Sequence, residues 1–335
     1  MEQRVLGRTE RSVSVVGLGT WQLGADWGEV SEADAHAVLD AAVEGGVTFF
    51  DTADVYGDGR SEQIIGSFLG GRSDVDLTVA TKMGRRVEQV PENYTLASFR
   101  EWTDRSRRNL GVGRLDLVQL HCPPTSVYSH DAVYDALDTL VEEQVIAAYG
   151  VSVETADEAL TAISRRGTAT VQIILNAFRL KPLEFVLPAA QAAGVGVIAR
   201  VPLASGLLSG RYTADTTFAE QDHRSYHRDG SAFDVGETFS GVDFETGVAA
   251  AQEFTGLVQA LPAEFQELAV TPAQAALAWL AQTPGVSTVI PGARSPEQAQ
   301  ANAAAGDLPP LPEDFRAAVT ELYDRRIRAS VHARW

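Results

Sequence analysis

Gly46-Val47-Thr48-Phe49-Phe50-Asp51-Thr52-Ala53-Asp54-Val55-Tyr56-Gly57 is an apolar run that ends on an acid and turns at once into a loop carrying a tyrosine. Residues 47–50 are almost all β-branched or aromatic, which suits a strand buried on both faces. The same pattern recurs at 15–18, 77–80, 115–120, 145–151, 171–175, 195–199 and 286–290. Most of these runs are continuous rather than alternating, so they read as parallel strands of a covered sheet.

Helical patterns fill the intervals. Ser31 caps one that runs to about Glu44 and stops at Gly45-Gly46, and Gly111 closes another over 95–110. Helices over 131–142, 155–166 and 182–193 follow, the last ended by Gly194. Strand and helix alternate about eight times, which predicts a (β/α)8 TIM barrel rather than an open sheet. Residues 4–13 read as a small N-terminal hairpin around Gly7-Arg8 at the barrel bottom. After the seventh strand, 213–243 is polar and aperiodic. A loop of that length is expected to be a lid or a disordered segment, and Phe218, Tyr226, Phe233 and Phe239 give it packing groups. Extra C-terminal helices are expected at 247–268, 272–282 and 312–325, before a tail over 326–335 that either closes over the site, joins a neighbour or frays. The whole chain, 1–335, reads as one domain.

Composition narrows the function. The chain has 335 residues, 45% hydrophobic and 21% charged, as in an ordinary globular protein. Its net charge of −18 disfavours nucleic acid and anionic membrane as partners, so a phosphate ligand would need a local basic pocket. The single cysteine, Cys122, rules out an internal disulfide framework. No apolar run approaches a membrane span, and the first residues lack a signal-peptide core, so the expected location is the cytoplasm. The six histidines show no spacing that suggests a metal site; His223 and His227 stand four apart without an evident third ligand. Nothing in the sequence points to an oligomer.

In a (β/α)8 barrel the reactive side chains gather at the C-terminal ends of the strands. Asp51, Lys82 and His121 end the second, third and fourth apolar runs, and Tyr56 lies in the loop after the second. A free tyrosine gives up its proton only near pH 10. An ammonium beside it stabilises the phenolate, which Lys82 could do for Tyr56 while Asp51 holds Lys82 charged. His121 could donate a hydrogen bond to a carbonyl oxygen next to Tyr56. Such a set suits proton transfer at a carbonyl. Trp21, Trp27 and Tyr128, in or near loops after strands, are the expected substrate-pocket wall together with Tyr56 and His121.

The chain resembles the aldo-keto reductases. The likeness is carried by Gly17-Leu18-Gly19-Thr20-Trp21, by residues 50–57 with Ser61-Glu62, by Thr81-Lys82 and by residues 115–121. Gly150-Val151-Ser152, then Val201-Pro202-Leu203-Ala204-Ser205-Gly206-Leu207-Leu208-Ser209-Gly210-Arg211-Tyr212, and Ile290-Pro291-Gly292-Ala293-Arg294 through Gln298 to Asn302 continue it in order. The resemblance implies hydride transfer between a nicotinamide cofactor and an aldehyde or ketone, with Tyr56 as general acid/base and Asp51, Lys82 and His121 completing a tetrad. It implies that Ser152 and Gln172, with Asn176 nearby, hold the carboxamide. Arg211 would meet the pyrophosphate, Arg294 and Gln298 the adenosine ribose or its 2′-phosphate, and Asn302 the adenine. Gly19, Thr20, Trp21, Asp51, Arg200, Pro202, Leu203, Gly206, Leu208, Pro291 and Gly292 would complete the cofactor contacts. Ser295 opens the helix after the eighth strand, and a helix N-terminus beside Arg294 favours an anion. NADPH is therefore expected over NADH.

Three positions depart from the resembled pattern. Val153 stands where an asparagine is common, Arg200 where an aromatic often stacks on the nicotinamide, and Ala301 where an acid often precedes the asparagine. A guanidinium plane can also stack, or it can pair with a substrate anion. Gly17-Leu18-Gly19 is not a dinucleotide-fold fingerprint, since Gln22 replaces its third glycine. Cys122 reads as a small buried hydrophobe. Two other functions fit the residues less well: a nicotinamide-binding redox sensor or regulatory subunit with slow turnover, and a Schiff-base barrel using Lys82. The carbonyl substrate stays open among sugars, small aldehydes, quinones and natural-product ketones.

Overall fold

A computed structural model of the chain describes residues 1–24, 30–72, 74–220, 222–227 and 238–335. Strands β1 (Gln3–Val5) and β2 (Ser12–Ser14) precede β3 (Leu18–Gly19), α1 (Glu32–Glu44), β4 (Phe49–Asp51), α2 (Arg60–Gly71), β5 (Thr78–Met83) and α3 (Leu96–Leu110). Then come β6 (Leu115–His121), α4 (Asp131–Glu142), β7 (Ile146–Ser152), α5 (Ala156–Ile163), β8 (Thr168–Ile174), α6 (Val186–Ala193) and β9 (Gly196–Arg200). The chain ends with α7 (His223–Tyr226), α8 (Phe244–Gln259), α9 (Ala263–Glu267), α10 (Pro272–Ala281), β10 (Thr288–Val289), α11 (Pro296–Ala304), α12 (Glu313–Arg326) and α13 (Arg328–Val331).

The strands from β3 to β10 form one eight-stranded sheet in sequence order, each neighbouring pair parallel. Parallel bridges Val16–Val289 and Gly19–Gly292 join its two edges, so the sheet closes into the expected barrel. Short polar side chains start the helices. Ser31, Thr95, Thr155, Asp243, Thr271 and Ser295 each accept a hydrogen bond from a first-turn N–H, which satisfies a donor the helix itself leaves open. Gly111 and Gly194 end α3 and α6 in the left-handed conformation.

The N-terminal hairpin plugs the barrel bottom. Leu6 and Val13 are fully buried and cluster with Phe49, Ala80, Leu117, Ala148, Ala169, Ile198 and Ile290 from the strands. Gly7 makes the turn at φ 51°, and a Cβ there would fall 2.0 Å from the Gly196 nitrogen, so glycine is required. Arg8 donates to the carbonyls of Arg166 (2.6 Å) and Ala193 (2.7 Å), placing a cation at the end of α6 where the helix dipole favours it.

Elsewhere the boundaries differ from the sequence reading. The helix expected over 247–268 is two, α8 and α9, because Pro262 lies between them and becomes the N-cap of α9. Helix α2 escaped the sequence reading; Gly66, Gly70 and Gly71 dilute its pattern, and its start is Gly59 at φ 93° instead of a polar cap. In the loop expected over 213–243, Asp222 caps the single turn α7, and a short helical turn covers Phe239–Gly241. Phe218, Phe239, Phe244 and Tyr212 pack on one another there, with Phe239 and Phe244 centroids 5.0 Å apart. Phe233 lies outside the described residues. The tail is not frayed: α13 leads to Trp335, which is buried under the Arg179 guanidinium at 3.7 Å from the ring centroid.

Candidate active site

The strand register brings the reactive side chains together. Gly19 pairs with Asp51, Lys82 with Gln119, His121 with Ser152 and Ser152 with Gln172. The barrel mouth therefore gathers Asp51, Lys82, His121, Ser152 and Gln172, all buried. Tyr56 reaches the same place from the turn after β4.

Lys82 is the hub. Its Nζ donates to Asp51 Oδ1 at 2.5 Å, to the Thr52 carbonyl at 2.9 Å and to the Tyr56 hydroxyl at 3.3 Å. Burial alone would push this ammonium down. The charges of Asp51 and Tyr56 and the hydrogen bonds to both together outweigh that, and the Lys82 pKa is raised. A permanent cation thus sits against the tyrosine hydroxyl. The other Asp51 oxygen accepts from Gln172 Nε2 at 2.7 Å and from Gln119 Nε2 at 3.2 Å. With both oxygens engaged, the carboxylate is fixed in orientation, which a buried charge requires.

Aromatic contacts set the Tyr56 ring. Trp21 stacks on it with centroids 6.0 Å apart, and His121 meets its edge at 6.0 Å. The His121 carbonyl accepts from Arg85 Nε at 3.1 Å. Next to it, Cys122 is held at φ 46°, with Sγ 3.4 Å from Ser152 Oγ.

A cavity of about 490 Å³ opens above this level, a size suited to a small-molecule ligand. Gly19, Thr20, Trp21, Asp51, Tyr56, His121, Ser152, Gln172, Arg200, Pro202, Leu203, Gly206, Pro291, Gly292, Arg294 and Gln298 line it. The segment after β9 is bent to make the wall: Val201, Ala204 and Ser205 all have φ near 50°. For β-branched Val201 that is a strained conformation of the kind that gathers at functional sites. After β10, Ser295 caps α11, Gln298 Oε1 accepts from the Arg294 backbone N–H at 2.8 Å, and Asn302 Nδ2 donates to the Gly292 carbonyl at 3.1 Å.

Six of the described residues expected at the site do not line the cavity: Lys82, whose Nζ is taken up by Asp51, Thr52 and Tyr56, and Tyr128, Leu208, Arg211, Asn302 and Asn176. Tyr128 is fully buried, and its hydroxyl donates to the Ser152 carbonyl at 2.9 Å; it supports the wall from behind instead of forming it. Leu208 is fully buried in the core cluster, Arg211 is exposed, and Asn302 secures the Gly292 loop from outside. Asn176 is likewise spent on structure, donating to the Val201 carbonyl at 2.9 Å and to Ser240 Oγ at 2.7 Å. Trp27 lies outside the described residues. Val153 is fully buried, and the Ala301 carbonyl accepts from Gln274.

Other residues at the site are not expected there from the sequence. Gln119 orients Asp51 from within β6. Arg85, His223 and Arg224 line the cavity. His223 packs on Trp21 at 5.7 Å, and its Nδ1 lies 2.9 Å from Thr238 Oγ1. Burial pushes its pKa down to about 3, so α7 presents a neutral imidazole. Only Arg85 left a signal, as one of two arginines just past Lys82. Among the described residues, no group of three or more metal-ligating side chains comes together, and no helix is long and apolar enough to cross a membrane.

The chain matches the Aldo/keto reductase family over residues 15–324. It is 32% identical over 315 residues to an uncharacterized oxidoreductase of Mycobacterium tuberculosis, covering 92% of this chain and 89% of that one. It is 29% identical over 331 residues to a probable voltage-gated potassium channel subunit beta of Arabidopsis thaliana, covering 93% of each. Among solved structures, the glycerol dehydrogenase AKR11B4 from Gluconobacter oxydans superimposes with a TM-score of 0.77 at 28% identity, covering 97% of this chain and 95% of that one. An aldo-keto reductase from Klebsiella pneumoniae, in complex with NADPH, gives 0.70 at 25% identity, covering 96% of each.

Proposed function

Because the chain belongs to the aldo/keto reductase family, and on that ground is an NAD(P)H-dependent oxidoreductase, we propose that it reduces an aldehyde or ketone to an alcohol with NADPH, reversibly, with Tyr56 as general acid/base. The observation that carries this reading is Lys82 Nζ set between Asp51 and the Tyr56 hydroxyl, both of which line the cavity.

The cavity fits a dinucleotide. It offers side-chain donors and acceptors at Ser152 and Gln172 near the tetrad, and a cation beside a helix N-terminus at Arg294. Bound there, the reduced nicotinamide supplies hydride. Tyr56 gives its proton to the substrate oxygen. Lys82 stabilises the phenolate left behind, and Asp51 keeps Lys82 charged and aimed. His121 steadies the same oxygen by a hydrogen bond. Trp21 forms the wall over Tyr56 and excludes water. NADPH is preferred to NADH because the 2′-phosphate puts more negative charge at Arg294 and Gln298, and the Klebsiella relative holds NADPH.

The test is NADPH oxidation across aldehydes, ketones, quinones and keto-sugars, with Tyr56→Phe beside the wild type. Turnover is expected to fall by about 10²–10⁴-fold in the variant, the usual worth of a general acid, with coenzyme affinity nearly unchanged. A variant that turns over normally removes Tyr56 from its role. The likeness to a channel subunit favours a second reading, a nicotinamide-binding sensor or regulatory subunit. Tight coenzyme binding with negligible turnover on the whole panel would select it.

A further inference from the structure

Gln119 is a polar side chain inside the apolar strand β6, and it is fully buried. A buried amide costs stability unless its donors and acceptor are met. The strand register sets Gln119 beside Lys82 of β5, and Gln172 approaches from β8. Both amides close on Asp51. Gln172 Nε2 lies 2.7 Å from Asp51 Oδ2, and Gln119 Nε2 lies 3.2 Å from the same oxygen, while Lys82 holds Oδ1 at 2.5 Å. Gln172 Nε2 also lies 3.4 Å from Gln119 Oε1.

Chemistry fixes which way the two amides face. An ionised carboxylate only accepts, so each amide must turn its nitrogen to Oδ2; the opposite orientation sets oxygen against charged oxygen. With its nitrogen on Asp51, Gln119 has Oε1 left for Gln172. Gln172 thereby spends one N–H on Asp51 and the other on Gln119. Among the described residues nothing bonds Gln172 Oε1, and Gln172 lines the cavity. What Gln172 offers a ligand there is therefore an acceptor. Gln119 does not line the cavity, so any effect it has on a ligand passes through Gln172 or Asp51.

Resting on the reductase reading, we propose that Gln119 is a positioning residue for the coenzyme, locking the Gln172 amide so that Oε1 accepts from the N–H of the nicotinamide carboxamide. The lock also joins the coenzyme to the tetrad. The Asp51 oxygen that carries the two amides is the neighbour of the one that holds Lys82, so the nicotinamide and the Tyr56 hydroxyl are set from one carboxylate. With Gln119 gone, Gln172 keeps its bond to Asp51 but its second N–H loses its partner, and the amide can turn to suit a different ligand group.

Gln119→Met tests this, since methionine is unbranched, fills a buried site and neither donates nor accepts strongly; Gln119→Leu is the second variant. The probes are NADP+ and its acetylpyridine analogue, in which a methyl group replaces the carboxamide nitrogen. Kd is read from quenching of protein fluorescence, and no turnover is needed. The wild type is expected to hold NADP+ about tenfold more tightly than the analogue, the worth of one hydrogen bond together with an acceptor left unmet. In the variants that ratio is expected to fall to within about twofold, NADP+ binding weakening and analogue binding changing little. With NADPH and a turned-over aldehyde, coenzyme KM is expected to rise by about tenfold and kcat to fall by less than about threefold, because Lys82 keeps its bond to Asp51. A residue that only supported the fold would lower the fraction of binding protein and leave the ratio as it was. An unchanged ratio in both variants, or a wild type that holds both compounds equally, overturns the inference and leaves the reductase reading standing. A wild type that binds neither compound overturns both.

Discussion

Asp54 lies three residues beyond Asp51 in the same motif and has opposite surroundings. It is 1% exposed, and neither carboxylate oxygen has a hydrogen-bond partner. Burial, with the charge of buried Glu62 adding to it, pushes its pKa up to about 7, although Arg86, Arg105 and Lys82 act against the shift. An unfolded aspartate titrates near 3.9. Between about pH 4 and 7 the folded chain therefore holds a proton that the unfolded chain has lost. The contribution of this site to stability falls as the pH rises through that window and is least favourable above it. Asp54→Asn, neutral and of the same shape, is expected to match the wild type near pH 4 and to exceed it by about 1–3 kcal/mol at pH 8. Urea midpoints of both proteins at the two pH values measure the gap; a gap that does not widen with pH counts against a buried, protonated Asp54. The residues at strand ends were legible in the sequence because an apolar run ending on Asp51, Lys82 or His121 gives both the element and the direction of its last side chain. Gln119 was not, because a polar residue inside a buried strand reads as an exception until its partner, Asp51, is known. Arg85, His223 and Arg224 were not, because the reach of a loop side chain depends on tertiary placement.

Helix α11 shows what one element can contribute to ligand choice. Ser295 caps its first turn and Arg294, a cavity residue, directly precedes the cap, where the resemblance puts the adenosine 2′-position. A helix N-terminus carries about half a positive charge, and a guanidinium adds a whole one, so the pair discriminates by ligand charge. Removing the arginine leaves the helix and removes most of the discrimination. Arg294→Ala is expected to raise KM for NADPH by about tenfold, the value of one charge-assisted hydrogen bond, and to leave KM for NADH within about twofold. Equal losses with both coenzymes would place Arg294 elsewhere on the dinucleotide. Elements with a side-chain cap and an uninterrupted period, such as α1, α3 and α10, were readable in advance. Helix α2 was not, because its glycines weaken the local signal and its stability comes from packing Ile64, Ile65 and Phe68 onto the barrel. The break between α8 and α9 was written at Pro262, but an apolar period continuing on either side of it masked the stop.

The two ends of the barrel divide the work of the molecule. At the C-terminal ends of the strands the chain keeps buried charge, a left-handed Val201 and an open cavity, all of which cost stability. At the other end the hairpin closes the barrel with apolar side chains and with Arg8 on backbone carbonyls. Chain order made this division visible, since continuous apolar runs and their terminal polar residues reveal which end faces a ligand. The depth of the plug was not visible, because Leu6 and Val13 look like isolated apolar residues until the strands surround them. Leu6→Ala tests the separation. Leu6 is fully buried in one cluster with Phe49, Ala169 and Ile198, so truncation leaves a cavity that rigid strand backbones cannot fill. The expected cost is about 2–5 kcal/mol, read from the urea midpoint. Coenzyme KM and turnover of the folded variant are expected to stay within about twofold of wild type, because no residue of the hairpin lines the cavity. If coenzyme KM rose along with the loss of stability, the barrel would be transmitting strain from one end to the other. The close packing of its interior side chains would then be part of the binding site.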